Sequence, residues 1–416
     1  MSNETRFDRL ANEVVSGGTQ RDPQAGPTKG AAIAGALAWI GLFGVLWIYS
    51  PWFVVFALGL AISIVLHEFG HFWTARRSGM KATQFFLGFG PRIWSIHRGG
   101  VEYGVRAIPL GGFVKIIGMT NVDEIDPADE AVTYRQGTYP RRMWVITAGT
   151  AMHLIIAFVA IVCAYGFAGR VQEAGRVTIY SVAVGSPADA AGLKPNDVVA
   201  SIDGEGMPTA AKFRNTLAAA VPGTTVTLGV LRAGAPLRLR ATLALSPAAQ
   251  PGEQRGFLGV SSDSQDRVPV SWGTALSQGP KDLVTGVGQA VVGIAKVINP
   301  VNVFGHLTGS NTDATSRPGP IVGATRISKD VGKHDGWAGM LALLAAVNVS
   351  VGVFNMFPLL PLDGGHAAIA TYERIRSRKN RRYFADVSKL MPVAAMCIML
   401  IAFMFLTGLY LDIAKP

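Results

Sequence analysis

Three ionisable residues inside an apolar run constrain this chain more than anything else in it. From about Trp52 to Ala75 the sequence is hydrophobic enough to span a membrane, yet its later part reads His67-Glu68-Phe69-Gly70-His71. On a helix the two histidines fall on one face, one turn apart. His-Glu-x-x-His at that spacing suits one Zn2+ held by two imidazoles, with the glutamate beside a water as general base. Ionisable side chains at membrane depth are costly and mark function by default. The run therefore predicts a hydrolytic metal centre within a bilayer, with His67 and His71 as ligands and Glu68 as base.

Composition agrees with that setting. Of 416 residues, 49% are hydrophobic and only 16% charged, the balance of a multi-pass membrane protein. The formal net charge is +11. The basic residues adjoin apolar spans, where they set topology and meet anionic lipid, so membrane lipid rather than nucleic acid is the expected partner. Cys163 and Cys397 fall in different expected helices, which argues against a disulfide framework.

The expected class is a polytopic α-helical membrane protein of about five spans, with a re-entrant β-hairpin region and an α+β domain outside the membrane. Residues 1–30 read as a disordered tail. Residues 31–49 form a first span, ended by Ser50-Pro51, and 52–75 the motif-bearing span. Residues 76–142 hold short β-rich runs punctuated by glycine, then an acidic linker. A third span covers 143–167, a soluble domain 171–262, and an amphipathic interfacial helix 281–298. Residues 300–335 read as irregular. A fourth span with an Asp-Gly loop occupies 337–370, a basic loop 371–390, and the last span 391–411. Dense Lys and Arg in 76–142 and 371–390 place both on the cytoplasmic side, with the N-terminal tail, and leave the soluble domain outside.

A catalytic zinc needs a third protein ligand. Asp363 lies in the helix-breaking stretch Pro361-Leu362-Asp363-Gly364-Gly365, and irregular backbone at that depth must face a cavity or be buried in protein. His366 is the rival ligand. His153, inside the third span, reads as a hydrogen-bonded packing residue.

His67-Glu68-Phe69-Gly70-His71, followed by Asn355-Met356-Phe357-Pro358 and Leu362-Asp363-Gly364, resembles the site-2 protease family of intramembrane zinc metalloproteases, most of all the bacterial type that cleaves anti-sigma factors. Gly88-Phe89-Gly90 and Ile108 to Lys115, with Gly111 and Gly112, resemble the family's re-entrant β-hairpin, and Gly319-Pro320-Ile321 also fits. Residues 171–262 resemble one PDZ domain of the permuted bacterial kind, strongest over Ser186 to Gly204; some relatives have two. Gly149-Thr150-Ala151-Met152-His153 stands where many relatives carry Gly-Pro and an Asn, and Pro361 falls one place later than in some.

The resemblance implies that His67, His71 and Asp363 bind one Zn2+, that Glu68 is the base and that Asn355 orients substrate or its oxyanion. It implies hydrolysis within or near the transmembrane helix of a single-pass protein such as an anti-sigma factor, after a first extracytoplasmic cut, in the inner or plasma membrane. A substrate helix must be unwound before attack. Adding it as a strand to the β-hairpins would keep its backbone paired, with Gly88, Gly90, Gly111 and Gly112 allowing close approach. The PDZ groove is expected between Val177–Val182 and the Ala211–Ala220 helix, binding a peptide C-terminus or excluding bulky substrates. The alternative is a catalytically inactive membrane adaptor that works through its PDZ domain.

Overall fold

The computed structural model describes residues 29–119, 125–247, 249, 252–311, 316–317, 321–378 and 381–414. Residues 1–28 of the tail expected over 1–30, the start of the acidic linker and Gly319-Pro320 lie outside the described residues. The chain divides into two units, 1–164 with 272–416 and 165–271.

The first unit opens with helices α1 (Lys29–Tyr49) and α2 (Pro51–Arg77). Between them Ser50 is extended, and its hydroxyl accepts the Phe53 N–H while Pro51 takes the first helical position. Arg76 and Arg77 close α2 and complement its dipole. Strands β1 (Ala82–Arg98) and β2 (Val101–Ile116) follow, turned at Gly99-Gly100.

These are not separate hairpins but two long strands, each folded back on itself. The second half of β1 pairs with the first half of β2 (Trp94 with Val105, His97 with Glu102). The first half of β1 lies between both halves of β2: Phe85 is opposite Tyr103 on one side and Val114 on the other. The pairs Gln84–Glu102 through Leu87–Val105 advance in the same sense, so that inner pairing runs parallel. In space the segments lie in the order 92–98, 101–106, 82–87, 112–116, and 112–116 forms one edge. Helix α1 lies on this sheet, with the Trp39 indole N–H donating to the Ala107 carbonyl at 3.1 Å. Helix α3 (Tyr139–Ala168) completes this part.

The second unit is a sheet with one covering helix. It runs β3 (Arg170–Val182), a single turn α4 (Pro187–Ala190), β4 (Val198–Ile202), β5 (Glu205–Gly206), α5 (Ala210–Ala219), β6 (Thr225–Arg232), β7 (Ala235–Thr242), β8 (Ala244–Leu245), β9 (Gly256–Phe257) and β10 (Val260–Val268). The main sheet has the order β10-β3-β4-β6-β7. Alternate residues Val226, Leu228 and Val230 point inward with Val177, Ile179 and Val199, and Phe213 and Leu217 of α5 pack on them. The groove expected against Val177–Val182 needs correction. That strand is paired on both sides, by β4 and by β10, so it cannot accept another strand. The free edge beside α5 belongs to β10.

The first unit resumes with α6 (Trp272–Ile298), α7 (Pro300–Thr308), α8 (Ile321–Asn355), α9 (Asp363–Arg376) and α10 (Met391–Ala414). Helix α6 starts nine residues before the expected Lys281, carrying Pro280 inside it while Gly279 packs on Phe158 and Val162. The stretch 300–335, expected to be irregular, is helical over 300–308 and from 321 onward. Asn299 caps α7, Pro300 takes its first position, and Gly309 at φ 83° ends it. In α8, Gly332 is tolerated because Trp52 packs directly against its backbone. Helix α8 is kinked at Gly336, where φ is 57°.

Four described helices are long and apolar enough to cross a membrane: 51–77, 139–168, 324–355 and 392–413. The bent pair α6 and α7 makes a fifth if it counts as one span, whereas the apolar helix Ile33–Tyr49, expected as a span, is shorter than these. Helices α3, α6 and α8 meet through small residues, with Ala157, Ala160 and Ala345 buried at the contact.

Candidate active site

Three electron-rich atoms converge where α2 and α9 meet α3. His67 and His71 lie one turn apart on α2, and their Nε2 atoms are 3.2 Å from each other. The Asp363 Oδ2 atom is 3.6 Å from the first and 3.4 Å from the second. The proton inventory of this cluster is short. The His71 Nδ1–H donates to the Val145 carbonyl of α3 at 2.8 Å, which leaves a lone pair on Nε2 in the neutral ring. Asp363 Oδ2 is buried without a well-formed hydrogen bond. Two imidazole nitrogens and a carboxylate oxygen this close repel unless a proton or a cation sits among them. Among the described residues, these three are the group that could hold a metal ion, all donor atoms lying within 4.8 Å of one another. The donor set and the orphaned carboxylate oxygen both fit zinc with an open fourth position.

Local sequence explains how the three meet. Gly70 lets α2 lie against α3, since a Cβ there would be 2.8 Å from the Ala148 carbonyl oxygen. Gly149 on α3 faces the two imidazoles: a Cβ there would be 2.3 Å from His71 Nε2 and 2.4 Å from His67 Cε1. Asp363 is the first residue of α9. The next residue folds under the loop that precedes the helix, because a Cβ on Gly364 would fall 2.3 Å from the Met356 carbonyl.

Glu68 follows His67 on α2 and lies against the edge segment of the β1–β2 sheet, near the Val114 backbone. Gly112, two residues earlier, is close enough that a Cβ would meet Glu68 Cγ at 3.2 Å. Gly88 and Gly111 adopt φ values of 87° and 114°, and Gly90 79°. A Cβ on Gly88 would strike the Ile108 carbonyl oxygen at 2.6 Å, so its place in a tight turn is enforced. Asn355 ends α8, half-buried, eight residues before Asp363. His366 lies one turn into α9 and outside the metal-capable trio.

Sequence reasoning missed Ser63 and Asn348. Both are polar residues within apolar helices and both are fully buried, which was the available signal. Asn348 bonds His153 and Ser63. The ring of His153 lies 4.8 Å from that of His67, centroid to centroid.

The chain matches the family model for peptidase family M50 over residues 55–400. It is 34% identical over 397 residues to the zinc metalloprotease Rip1 of Mycobacterium tuberculosis, covering 87% of this chain and 97% of that protein. Rip1 of Mycolicibacterium smegmatis is 31% identical over 415 residues, with the same coverage of each chain. Among solved structures, the PDZ domain of an SdrC-like protein from Listeria innocua matches 21% of this chain and 92% of its own length at 21% identity, with a TM-score of 0.18. Two such relatives along nearly their whole length, and a family model matched over most of the chain, establish that the protein belongs to peptidase family M50, the site-2 protease family, and is a zinc-dependent metalloendopeptidase.

Proposed function

We propose that this protein hydrolyses a peptide bond within or beside the transmembrane helix of single-pass membrane proteins, anti-sigma factors among them, after an earlier extracytoplasmic cut. The observation that carries the reading is that Asp363 meets His67 and His71 of a helix apolar enough to span, with a sheet edge lying against Glu68. In this reading His67, His71 and Asp363 hold the zinc ion. Zinc supplies Lewis acidity there, which acidifies water and polarises a carbonyl. Glu68 takes the proton from the attacking water and returns one to the departing amine. Asn355, at the end of α8, orients the substrate backbone. The Gly111–Ile116 edge accepts the unwound substrate as an added strand, so its amide and carbonyl groups stay paired away from water. Gly88 and Gly90 shape the turn that backs this edge.

In the same reading the 165–271 unit is a PDZ domain on the extracytoplasmic side, and the basic stretches 76–142 and 371–390 face the cytoplasm with the N-terminal tail. A peptide C-terminus would add to β10, with Gly256 to Gly259 at the head of the groove and α5 as its wall. Deleting 171–262 separates binding from exclusion: cleavage of intact, untrimmed substrate should appear if the domain excludes by size.

The decisive experiment is co-expression with single-pass anti-sigma factors, wild type against Glu68→Gln. A cut inside the membrane segment that requires Glu68 is expected. Identical fragment patterns from both forms would overturn the proposal.

A further inference from the structure

Ser63, Asn348 and His153 come from α2, α8 and α3, and are 1%, 0% and 2% exposed. They form one chain of hydrogen bonds whose direction is set by its ends. The Ser63 hydroxyl donates to the Gly59 carbonyl at 2.9 Å, so its oxygen is free to accept from Asn348 Nδ2 at 3.1 Å. The same Nδ2 donates to the Leu344 carbonyl at 2.8 Å. Flipping the amide would set two oxygens against each other there, so the amide orientation is determined. Asn348 Oδ1 therefore faces His153 Nδ1 at 2.8 Å and must receive a proton from it. His153 is held as the Nδ1–H tautomer in a single ring orientation.

That ring lies against His67, tilted by 39°. The two histidines of the motif are supported differently. His71 is fixed from behind by the Val145 carbonyl. His67 Nδ1 is buried beside the Gly149 backbone without a well-formed hydrogen bond. Ligating histidines usually anchor their second nitrogen, and losing such an anchor commonly lowers metal affinity by about 10- to 100-fold. His67 needs another restraint on its ring plane, and the neighbouring ring supplies one.

We propose that Ser63, Asn348 and His153 form a relay that positions His67: Asn348 fixes the His153 ring, and the His153 ring fixes the plane in which His67 meets the zinc. Ser63 adds a tie one turn below His67 on the same face of α2. Asn348 and His153 are positioning residues, and their role rests on the zinc-binding role proposed for His67.

The test uses the purified full-length chain in detergent. Zinc affinity is measured by competition with a chelating dye, and the visible spectrum of the Co2+-substituted protein reports ligand geometry. Asn348→Leu removes the acceptor, and His153→Phe keeps a ring but breaks its tie. Both should weaken zinc binding by about 10- to 100-fold and alter the cobalt bands. If Asn348→Leu does not fold, His153→Phe decides alone. Wild-type zinc affinity and unchanged cobalt bands in these variants, even with a lowered melting temperature, would overturn the relay. A wild-type chain that binds no zinc would overturn the metal reading first, and the relay with it.

Discussion

Replacing Gly149 by alanine sets two physical effects against each other. Gly149 is inside α3, where alanine is the better helix former by about 1 kcal/mol. On propensity alone the variant should be more stable. The added Cβ, however, would sit 2.3 Å from His71 Nε2 and 2.4 Å from His67 Cε1. Favourable contacts between such atoms lie at about 3.5–4.0 Å, so more than an ångström of overlap has to be relieved. Neither neighbour is the loose end of a flexible chain. His71 is tied to Val145 at 2.8 Å, and both rings are buried. Relief must come from rotating the imidazoles out of register or from separating α2 and α3, and Gly70 packs on the same stretch of α3. A misplacement of about 1 Å at a reacting centre can cost about 100-fold. Gly149→Ala is expected to lower zinc affinity and cleavage by about that factor. Metal content after purification and chelator competition read the first, and cleavage of a membrane-embedded reporter the second. Gly288→Ala on α6 is the control, since its Cβ would meet nothing within 4 Å. A Gly149→Ala protein with stoichiometric zinc at wild-type affinity and a raised melting temperature would refute the steric argument.

Glu68→Gln should retain zinc while cleavage falls by about 100- to 10,000-fold, checked by metal analysis beside the reporter assay. Stripping zinc with a chelator should abolish cleavage, and restoring zinc should recover it. In the 165–271 unit, buried Asp197 accepts two hydrogen bonds from Arg232, at 2.8 Å each, and these hold its carboxyl below the usual carboxylate range. With a depressed folded-state pKa, this contribution is fully present above the unfolded value near pH 4 and is lost as pH falls through the folded one. Asp197→Asn should destabilise the unit by roughly 2 kcal/mol at neutral pH, and the gap from wild type should narrow on acidification. Limited proteolysis of the full chain across pH reads both.

Short-range pattern made much of this molecule legible. The histidine spacing puts both rings on one face because a helical turn is 3.6 residues. Asp363 stood out because a carboxylate beside two glycines has no place in an ordinary span. The alternation of apolar residues marked the strands of the 165–271 unit. What escaped depended on distant partners. The fold-back of β1 and β2 is invisible locally, since glycine-rich strands specify register weakly. Helix over 300–308 and from 321 needed packing that composition does not show: Gly332 looks like a breaker until Trp52 is placed against it. The groove was assigned to the wrong strand because β10, which covers β3, lies some 80 residues further along the chain. Asn348 and His153 are 195 residues apart, and neither hints at the other.

The folded-back sheet also decides which edge can serve a substrate. Its outer segments are 92–98 and 112–116. Both could accept a strand in principle, but the second is the one that lies against Glu68, through the close approach of Gly112. An added strand outside 92–98 would be separated from the 112–116 segment by three others, roughly 19 Å away at about 4.8 Å per strand, beyond reach of a reacting bond. Gly112→Val tests this. Its Cβ would already be 3.1 Å from the Phe86 carbonyl oxygen and 3.2 Å from Glu68 Cγ, so the two further methyls must crowd the carboxylate or the incoming backbone. Cleavage should drop by about 100-fold while zinc content stays unchanged. Ser95→Val, on the opposite edge, should leave both within a factor of two or so, since a β-branched residue suits a strand there. If Ser95→Val abolished cleavage and Gly112→Val spared it, the substrate would have to enter by the far edge, and the contact between Glu68 and the 112–116 segment would carry no mechanistic meaning.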